Sequence, residues 1–102
     1  MSQINYIIEK DKDIVKKELT EILKREIKKD YVKTDWDKFN LKIKIEKMGS
    51  SEIIVALEES NNCVKICEKK RNIAMMHKPF ISEVEKIVEN IMLAHLGAKK
   101  GS

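Results

Sequence analysis

Apolar and polar residues alternate strictly along residues 39–46, which is the clearest periodic pattern in the chain. The apolar positions are Phe39, Leu41, Ile43 and Ile45. Successive side chains of a β-strand point to opposite faces of the sheet. This alternation therefore predicts a strand with one face in the core and the other in water.

Alternating Ile, Val and Leu predict two further strands, over residues 53–57 and 63–69. The segments that join the three strands, 48–51 and 59–62, contain Gly, Ser and Asn, which favour tight turns. Consecutive strands joined by short turns are typical of an antiparallel meander.

An amphipathic helix is predicted over residues 11–30, ahead of the strands. Apolar residues recur there at helical spacing, at Ile14, Val15, Leu19, Ile22, Leu23 and Ile27. Asp11 and Asp13 suit its N-terminus and the lysine pair at 28–29 suits its last turn, because the helix dipole favours these charges at these ends.

A second helix is predicted over residues 82–96. Ser82 and Glu85 form the Ser-x-x-Glu pattern of a capping box, and Pro79 is expected to end whatever precedes the helix. Gly97 supplies the stop at the other end. The apolar stripe of this helix contains Val84, Ile87, Val88, Ile91, Met92 and His95.

Three segments carry no decisive pattern. Ile4, Tyr6 and Ile8 alternate before the first helix and fit either a short extra strand or an early helical turn. Residues 34–38 break the helical period and are interpreted as a loop. Residues 70–79 mix basic and apolar side chains, and their conformation stays open.

Together these elements predict an α+β fold in which a helix, a three-stranded antiparallel meander and a second helix follow one another. A sheet with one apolar face must be covered, so both helices are expected to pack on the same sheet face. The length of 102 residues allows one core, which predicts a single domain over residues 1–97. Residues 98–102 follow Gly97 and are expected to fray.

The composition is typical of a globular protein with a heavily charged surface, since 42% of the residues are apolar and 37% are charged. No stretch approaches the roughly 20 apolar residues of a membrane span. The N-terminus lacks the pattern of a secretory signal, and two cysteines exclude a scaffold of several disulfides. These features predict a cytoplasmic protein with no membrane partner.

The net charge of +4 is distributed unevenly. Residues 24–33 hold five basic and two acidic side chains, and residues 65–78 hold five basic and one acidic. Two basic segments, rather than a uniformly basic chain, therefore need an explanation.

Side chains able to carry chemistry show no catalytic or cofactor arrangement. In a strand, Cys63 and Cys67 would lie about 13 Å apart at ~3.3 Å per residue, too far to share a metal ion, and we interpret them as ordinary reduced thiols. His77 and His95 are assigned structural roles. No glycine-rich phosphate loop or nucleophile motif is present. The sequence predicts a non-enzymatic protein without a cofactor or metal, and thiol or metal chemistry at the cysteines is the alternative.

Two surfaces are candidates for binding a partner. The first is the outward face of the strands, where parity places lysines around an apolar strip at Ile54 and Ala56. The second is the basic run 69–71 with its neighbouring methionines, which suit an adaptable protein contact. A solvated face whose lysines only prevent aggregation is the alternative interpretation. The candidate partner-binding residues are Lys42, Lys44, Ile54, Lys65, Lys69, Lys70, Arg71, Met75, Met76 and Lys78.

The element order over about residues 11–96 is similar to that of double-stranded RNA-binding domains. The lysine pair that opens the second helix in that family is replaced here by Phe80-Ile81-Ser82-Glu83, and the basic run 69–71 lies well before it. The order also resembles some small phage-encoded inhibitors of host defence and some nucleoid-associated proteins. No residue signature assigns the chain to any of them, and element order alone does not assign a function.

The leading hypothesis is a small binding or regulatory protein that acts by protein–protein contact. Its size and lack of catalytic motifs fit an accessory protein of a phage or mobile element, or an inhibitor of a nucleic-acid-handling host protein. The alternative is direct nucleic-acid binding through segments 24–33 and 65–78. Homodimer formation through the sheet stays open.

Overall fold

The architecture is taken from a computed structural model, which describes residues 4–100. Two helices and six strands follow one another in the order β1, α1, β2, β3, β4, β5, α2, β6. Their bounds are Asn5–Ile8, Lys12–Glu26, Val32–Asp37, Asn40–Glu46, Ser50–Ser60, Cys63–Asn72, Lys78–Asn90 and Lys99–Lys100. A 3₁₀ turn, Met75–His77, precedes α2, and a π-helical turn, Ile91–His95, follows it.

All six strands form one antiparallel sheet in the order β2-β3-β4-β5-β1-β6. The α+β class is therefore confirmed, but the three-stranded meander is wrong. The consecutive part of the sheet has four strands, β2 to β5, and the sheet is extended beyond β5 by β1 and β6. This order also departs from the helix, three strands, helix arrangement of double-stranded RNA-binding domains.

The loop predicted over residues 34–38 is wrong, because residues 34–37 belong to strand β2. The strand shows no apolar alternation, since its sequence, VKTDWD, has only Val32 and Trp36 as apolar residues. It forms because each residue from Val32 to Asp37 pairs with one of β3, from Ile45 to Asn40. The alternating residues Ile4, Tyr6 and Ile8 were compatible with a strand or with a helical turn, and the structure shows strand β1. Tyr6 and Ile8 lie opposite Ile66 and Val64 and are buried, so the pattern belongs to a strand.

Helix α1 is shorter than predicted and ends at Glu26. Asp11 caps it as expected, with its carboxylate accepting from the backbone N–H of Asp13 at 3.0 Å. The backbone of Ile27 is extended, and its N–H still bonds to the carbonyl of Leu23. The lysine pair at 28–29 thus lies in the connection to β2 and not in the helix.

Helix α2 begins four residues earlier than predicted, at Lys78. Pro79 does not end the preceding segment but occupies the first turn of the helix, where its missing N–H costs no hydrogen bond. Ser82 and Glu85 consequently lie inside the helix rather than forming a capping box.

The chain beyond Gly97 is ordered as far as residue 100, in contrast to the expected frayed tail. Gly97 has φ +68°, and the N–H of Ala98 reaches the carbonyl of Met92 at 2.7 Å, which ends the helical segment as predicted for this glycine. Ala98 is buried, and Lys99 and Lys100 pair with β1. Residues 101–102 lie outside the described part of the chain.

Both helices cover one face of the sheet, as predicted, and one hydrophobic cluster lies between the two layers. The helices contribute Val15, Leu19 and Leu23 from α1 and Ile81, Val84 and Val88 from α2, and every strand from β1 to β5 contributes inward residues. The π-helical turn brings Ile91, Met92 and Leu96 inward together.

Strand β2 is an edge strand whose exposed side is partly blocked. The N–H of Glu46 donates to the carbonyl of Tyr31, so the alternation of the ladder points the backbone of Val32, Thr34 and Trp36 away from β3. The Asp35 carboxylate takes the Trp36 N–H at 2.9 Å. One of the donors that an added strand would need is thereby occupied.

Candidate protein-binding site

The sheet face opposite the helices carries six of the ten predicted partner-binding residues, Lys42, Lys44, Ile54, Lys65, Lys69 and Lys70. We call it the open sheet face. The strand register arranges it in rows across the strands, and one row runs through Asp35, Lys42, Ile54 and Lys70. A neighbouring row consists of Asn40, Ala56, Cys67 and Asn5.

Acidic residues are interspersed with the lysines of the open sheet face: in the strand register Asp35 lies opposite Lys42, Glu52 opposite Lys44 and Glu58 opposite Lys65. Lys70 pairs with Glu52 at 3.4 Å and Lys69 with Glu58 at 3.1 Å. Hydrogen bonds from Cys67 and Lys69 lower the pKa of Glu58. The face is therefore a mixed-charge lattice rather than the uniformly basic surface that an anionic polymer would need.

Arg71 is not part of this surface. A bulge at Lys69 shifts the pairing of β4 and β5, so that Val55 faces Glu68 while Ile54 faces Lys70. Glu68 and Arg71 both point to the helix side as a result. The basic run 69–71 is thus divided between the two faces of the sheet.

Arg71 instead forms a largely buried ion cluster with two glutamates. Its guanidinium binds both carboxylate oxygens of Glu68, at 2.7 and 3.0 Å, and Glu85 of α2 at 3.2 Å. Burial opposes the charge of Arg71, but the two carboxylates outweigh it and raise its pKa. The arginine ties α2 to the sheet and has a structural role.

The aromatic side chains lie away from the open sheet face. Tyr6 is buried in the core, and Tyr31, Trp36, Phe39 and Phe80 pack against the core cluster. Within residues 4–100, the open face therefore has no ring on which a base could stack.

Three exposed methionines on two adjoining turns form a second surface, which we call the methionine tip. Met48 lies in the β3–β4 turn and is 82% exposed, and Met75 and Met76 lie in the 3₁₀ turn and are 82% and 55% exposed. The turns adjoin each other, because a Cβ added to Gly49 would lie 3.8 Å from the Met76 sulfur. Two of these residues were predicted for partner binding, and Met48 was not.

A buried hydrogen-bond chain holds the two turns of the tip together. The N–H of Ala74 donates to the Ser51 hydroxyl at 2.7 Å, and this oxygen lies 2.6 Å from Nδ1 of His77. Nε2 of His77 lies 2.6 Å from the carbonyl of Lys47. A carbonyl can only accept, so in the neutral ring Nε2 carries the proton and Ser51 donates to Nδ1.

His77 is fully buried and both its nitrogens are bonded, as are the hydroxyl of Ser51 and the carbonyl of Lys47. A closed network of this kind fixes one arrangement of the groups it joins. The exposed methionines therefore stand on a rigid support, although each of them is flexible by itself.

The backbone of the tip is held in a conformation that its residues disfavour. Met48 has φ +54°, a left-handed value that costs a non-glycine residue roughly 1 kcal/mol. Gly49 follows it at φ +136°. A long apolar side chain is thus exposed to solvent at a position where Asn or Gly would adopt the same backbone conformation with less strain.

Two lysines adjoin the methionines along the chain, Lys47 before Met48 and Lys78 after the 3₁₀ turn. The ammonium of Lys47 lies 4.8 Å from the ring centre of Tyr31 and 5.3 Å from that of Phe80. Lys78, the tenth predicted residue, opens α2 and is exposed. The structure thus brings Met75, Met76 and Lys78 together at the tip and leaves Lys42, Lys44, Ile54, Lys65, Lys69 and Lys70 on the strands.

The cysteines are free thiols bonded within the sheet. Cys63 donates to the carbonyl of Ser60 at 2.8 Å and Cys67 to the Glu58 carboxylate at 3.0 Å. Burial and the Glu58 carboxylate raise the pKa of Cys67, which disfavours the reactive thiolate. No group of three metal-ligating side chains occurs in residues 4–100.

No family model, curated protein or solved structure matches the chain. Over the described residues, no helix is long and apolar enough to cross a membrane. The residues that support the tip, Ser51 and His77, were missed as a pair because nothing in the sequence indicates that they meet across 26 residues.

Proposed function

We propose that this chain is a protein-binding module that contacts its partner through the methionine tip. The observation that carries the proposal is the exposure of Met48, Met75 and Met76 on two turns fixed by the buried chain of Ala74, Ser51, His77 and Lys47. Unbranched, polarisable side chains adapt to a partner surface, while a rigid support limits the entropy lost on binding.

The tip supports protein binding better than the open sheet face does. The methionines expose apolar area that no described part of the chain covers, whereas Lys69 and Lys70 of the sheet face already have carboxylate partners. Large exposed apolar side chains grouped at one place are a feature of interaction sites.

Direct nucleic-acid binding is the weaker candidate. Segment 65–78 divides between the open face, the helix face and the tip, and its Arg71 is held by two glutamates. Segment 24–33 has one of its lysines, Lys29, paired with Glu83 at 3.6 Å. A phage origin and a nucleic-acid-handling partner stay predictions from the sequence.

The test compares the wild-type chain with a triple variant, Met48→Asn, Met75→Ser and Met76→Ser, as baits in lysate of the source organism. We expect specific proteins to be retained by the wild type and lost by the variant. The matched control, Lys42→Gln with Lys44→Gln, removes charge from the open face and should retain the same proteins.

The same three chains are titrated with labelled duplex and single-stranded DNA and RNA at low and raised salt. Salt-sensitive nucleic-acid binding that survives the methionine changes, together with identical protein capture by all three chains, would contradict the proposal. Circular dichroism of each variant confirms that the fold is retained.

A further inference from the structure

The two turns of the tip carry positive charge without any matching carboxylate. Residues 47–51 and 72–80 contain Lys47 and Lys78 but neither Asp nor Glu. Neither lysine forms an ion pair with a described carboxylate. On the open sheet face, by contrast, Lys69 and Lys70 form ion pairs, and the other three lysines, Lys42, Lys44 and Lys65, each lie opposite an acidic residue in the strand register. The charge at the tip is therefore available to a partner.

Both lysines are tied to the apolar part of the tip. Lys47 is the residue before Met48, and its carbonyl is fixed by His77 while its ammonium stands over the rings of Tyr31 and Phe80. Lys78 directly follows His77 and begins α2. The first turn of α2 has no acidic residue, so the positive end of the helix dipole adds to the same potential.

From this charge complementarity we infer that the tip binds an acidic–apolar segment of a partner protein, in which a large apolar anchor is flanked by carboxylates. The inference rests on the proposed function and specifies the chemistry of the partner. The anchor packs among the three methionines, and the carboxylates meet the ammonium groups of Lys47 and Lys78. An ammonium group at the rim of an apolar contact keeps most of its hydration when it pairs with a carboxylate. Charge pairs at the rim of an interface mainly increase the selectivity and the rate of association.

The test uses a displayed library of random linear peptides selected on the immobilised full chain. We expect the retained peptides to combine Leu, Phe, Trp or Met with Asp or Glu within a few positions. One selected peptide is synthesised with a fluorophore, and its affinity is measured by anisotropy at low and raised salt.

Four variants of the tip and one control separate the contributions of charge and apolar contact. Lys47→Gln and Lys78→Gln should each raise the Kd of the peptide about two- to fivefold at low salt. The double variant should lose most of the salt dependence of binding. The triple methionine variant should abolish binding at both salt concentrations. Lys42→Gln with Lys44→Gln, which changes charge equally but away from the tip, should leave the affinity unchanged.

Different failures have different meanings. Peptides that bind through the methionines without acidic residues or salt dependence would overturn the inference and leave the proposed function standing. Retention of affinity by the methionine variant would overturn both. Analytical ultracentrifugation could also show that the wild-type chain is a dimer and that only the triple methionine variant is a monomer. That result would overturn the inference, because a second copy of the chain would then occupy the tip.

Discussion

The two ends of strand β4 meet the same geometric demand with different residues. At the end near Ser60, the turn to β5 uses Asn61 and Asn62 at φ +40° and +66°. Asparagine tolerates this left-handed conformation, and the turn is short and polar. At the other end, the turn from β3 places Met48 at φ +54°.

The difference lies in residue preference and in what supports each turn. The asparagine turn follows the residue preferences of hairpins and has no described support beyond the sheet. The methionine turn departs from those preferences, and a buried histidine and serine hold it against the 3₁₀ turn. Local strain combined with external support is typical of sites that bind.

Removing the support is expected to have the largest effect. His77→Ala should lower the free energy of unfolding by about 2–4 kcal/mol, because it leaves a cavity and unpaired groups on Ser51 and Lys47. Urea denaturation measures the change. His95→Ala, at a partly exposed histidine near Glu26, is the matched control and should cost less than about 1 kcal/mol. Equal losses for the two histidines would contradict the buried network.

Gly49→Ala is expected to have the next largest effect. The added Cβ meets only ordinary contacts at 3.8–3.9 Å, so the cost comes from φ +136° and should be about 1–3 kcal/mol. Thermal and urea unfolding report it. Gly97→Ala is the comparison, because Gly97 has φ +68°, which alanine tolerates better, and open space around an added Cβ. It should lower the free energy of unfolding less than Gly49→Ala, and an equal or larger loss would contradict the assignment of strain to Gly49.

Exchanging residues between the two turns tests the comparison directly. Met48→Asn should leave the stability unchanged or raise it by up to about 1 kcal/mol, while Asn62→Met should lower it by about 1 kcal/mol. Urea midpoints of the two variants decide. A loss for Met48→Asn as large as that for Asn62→Met would mean that the methionine is retained for packing rather than for contact with a partner.

The smallest expected effect concerns the polar end of β4. Burial, then the hydrogen bond and charge of Glu58, raise the pKa of Cys67. Glu58→Gln removes the charge and lowers that pKa, so at mildly alkaline pH more thiolate forms and alkylation of Cys67 becomes modestly faster. The rate is measured in a Cys63→Ser background, with Glu59→Gln as the control. An unchanged or slower rate would exclude control of the thiol by Glu58.

Strands and helices with a strong apolar period were predictable, and the exceptions have physical causes. Strand β3 and the core stripe of α2 follow from spacing alone. Strand β2 has too few apolar residues to show a period, since it is stabilised by pairing with β3. The start of α2 was misplaced because Ser82 and Glu85 match a capping box while Pro79 is equally compatible with a first helical turn.

The candidate site was predictable only in part, because its geometry depends on contacts between distant segments. Met75 and Met76 were identified by their apolar character in a polar segment. Met48 gave no such signal, since a turn containing Gly49 accounts for its position. Strand parity predicts Lys65 and Lys69 on the outer face, but a bulge cannot be seen in the apolar pattern. The bulge brings Lys70 onto that face and turns Arg71, which was predicted to lie with the methionines, to the helix side.

The hydrogen bond between the Asp35 carboxylate and the Trp36 N–H at the edge of β2 affects how the protein behaves at high concentration. Ordered aggregates grow when one chain offers a free ladder of backbone groups to the next. Asp35 occupies the Trp36 N–H at one border of the sheet, and at the other border β6 consists of two lysines. Neither border offers a long apolar template, so growth into fibrils by edge-to-edge pairing is disfavoured even when the protein is concentrated.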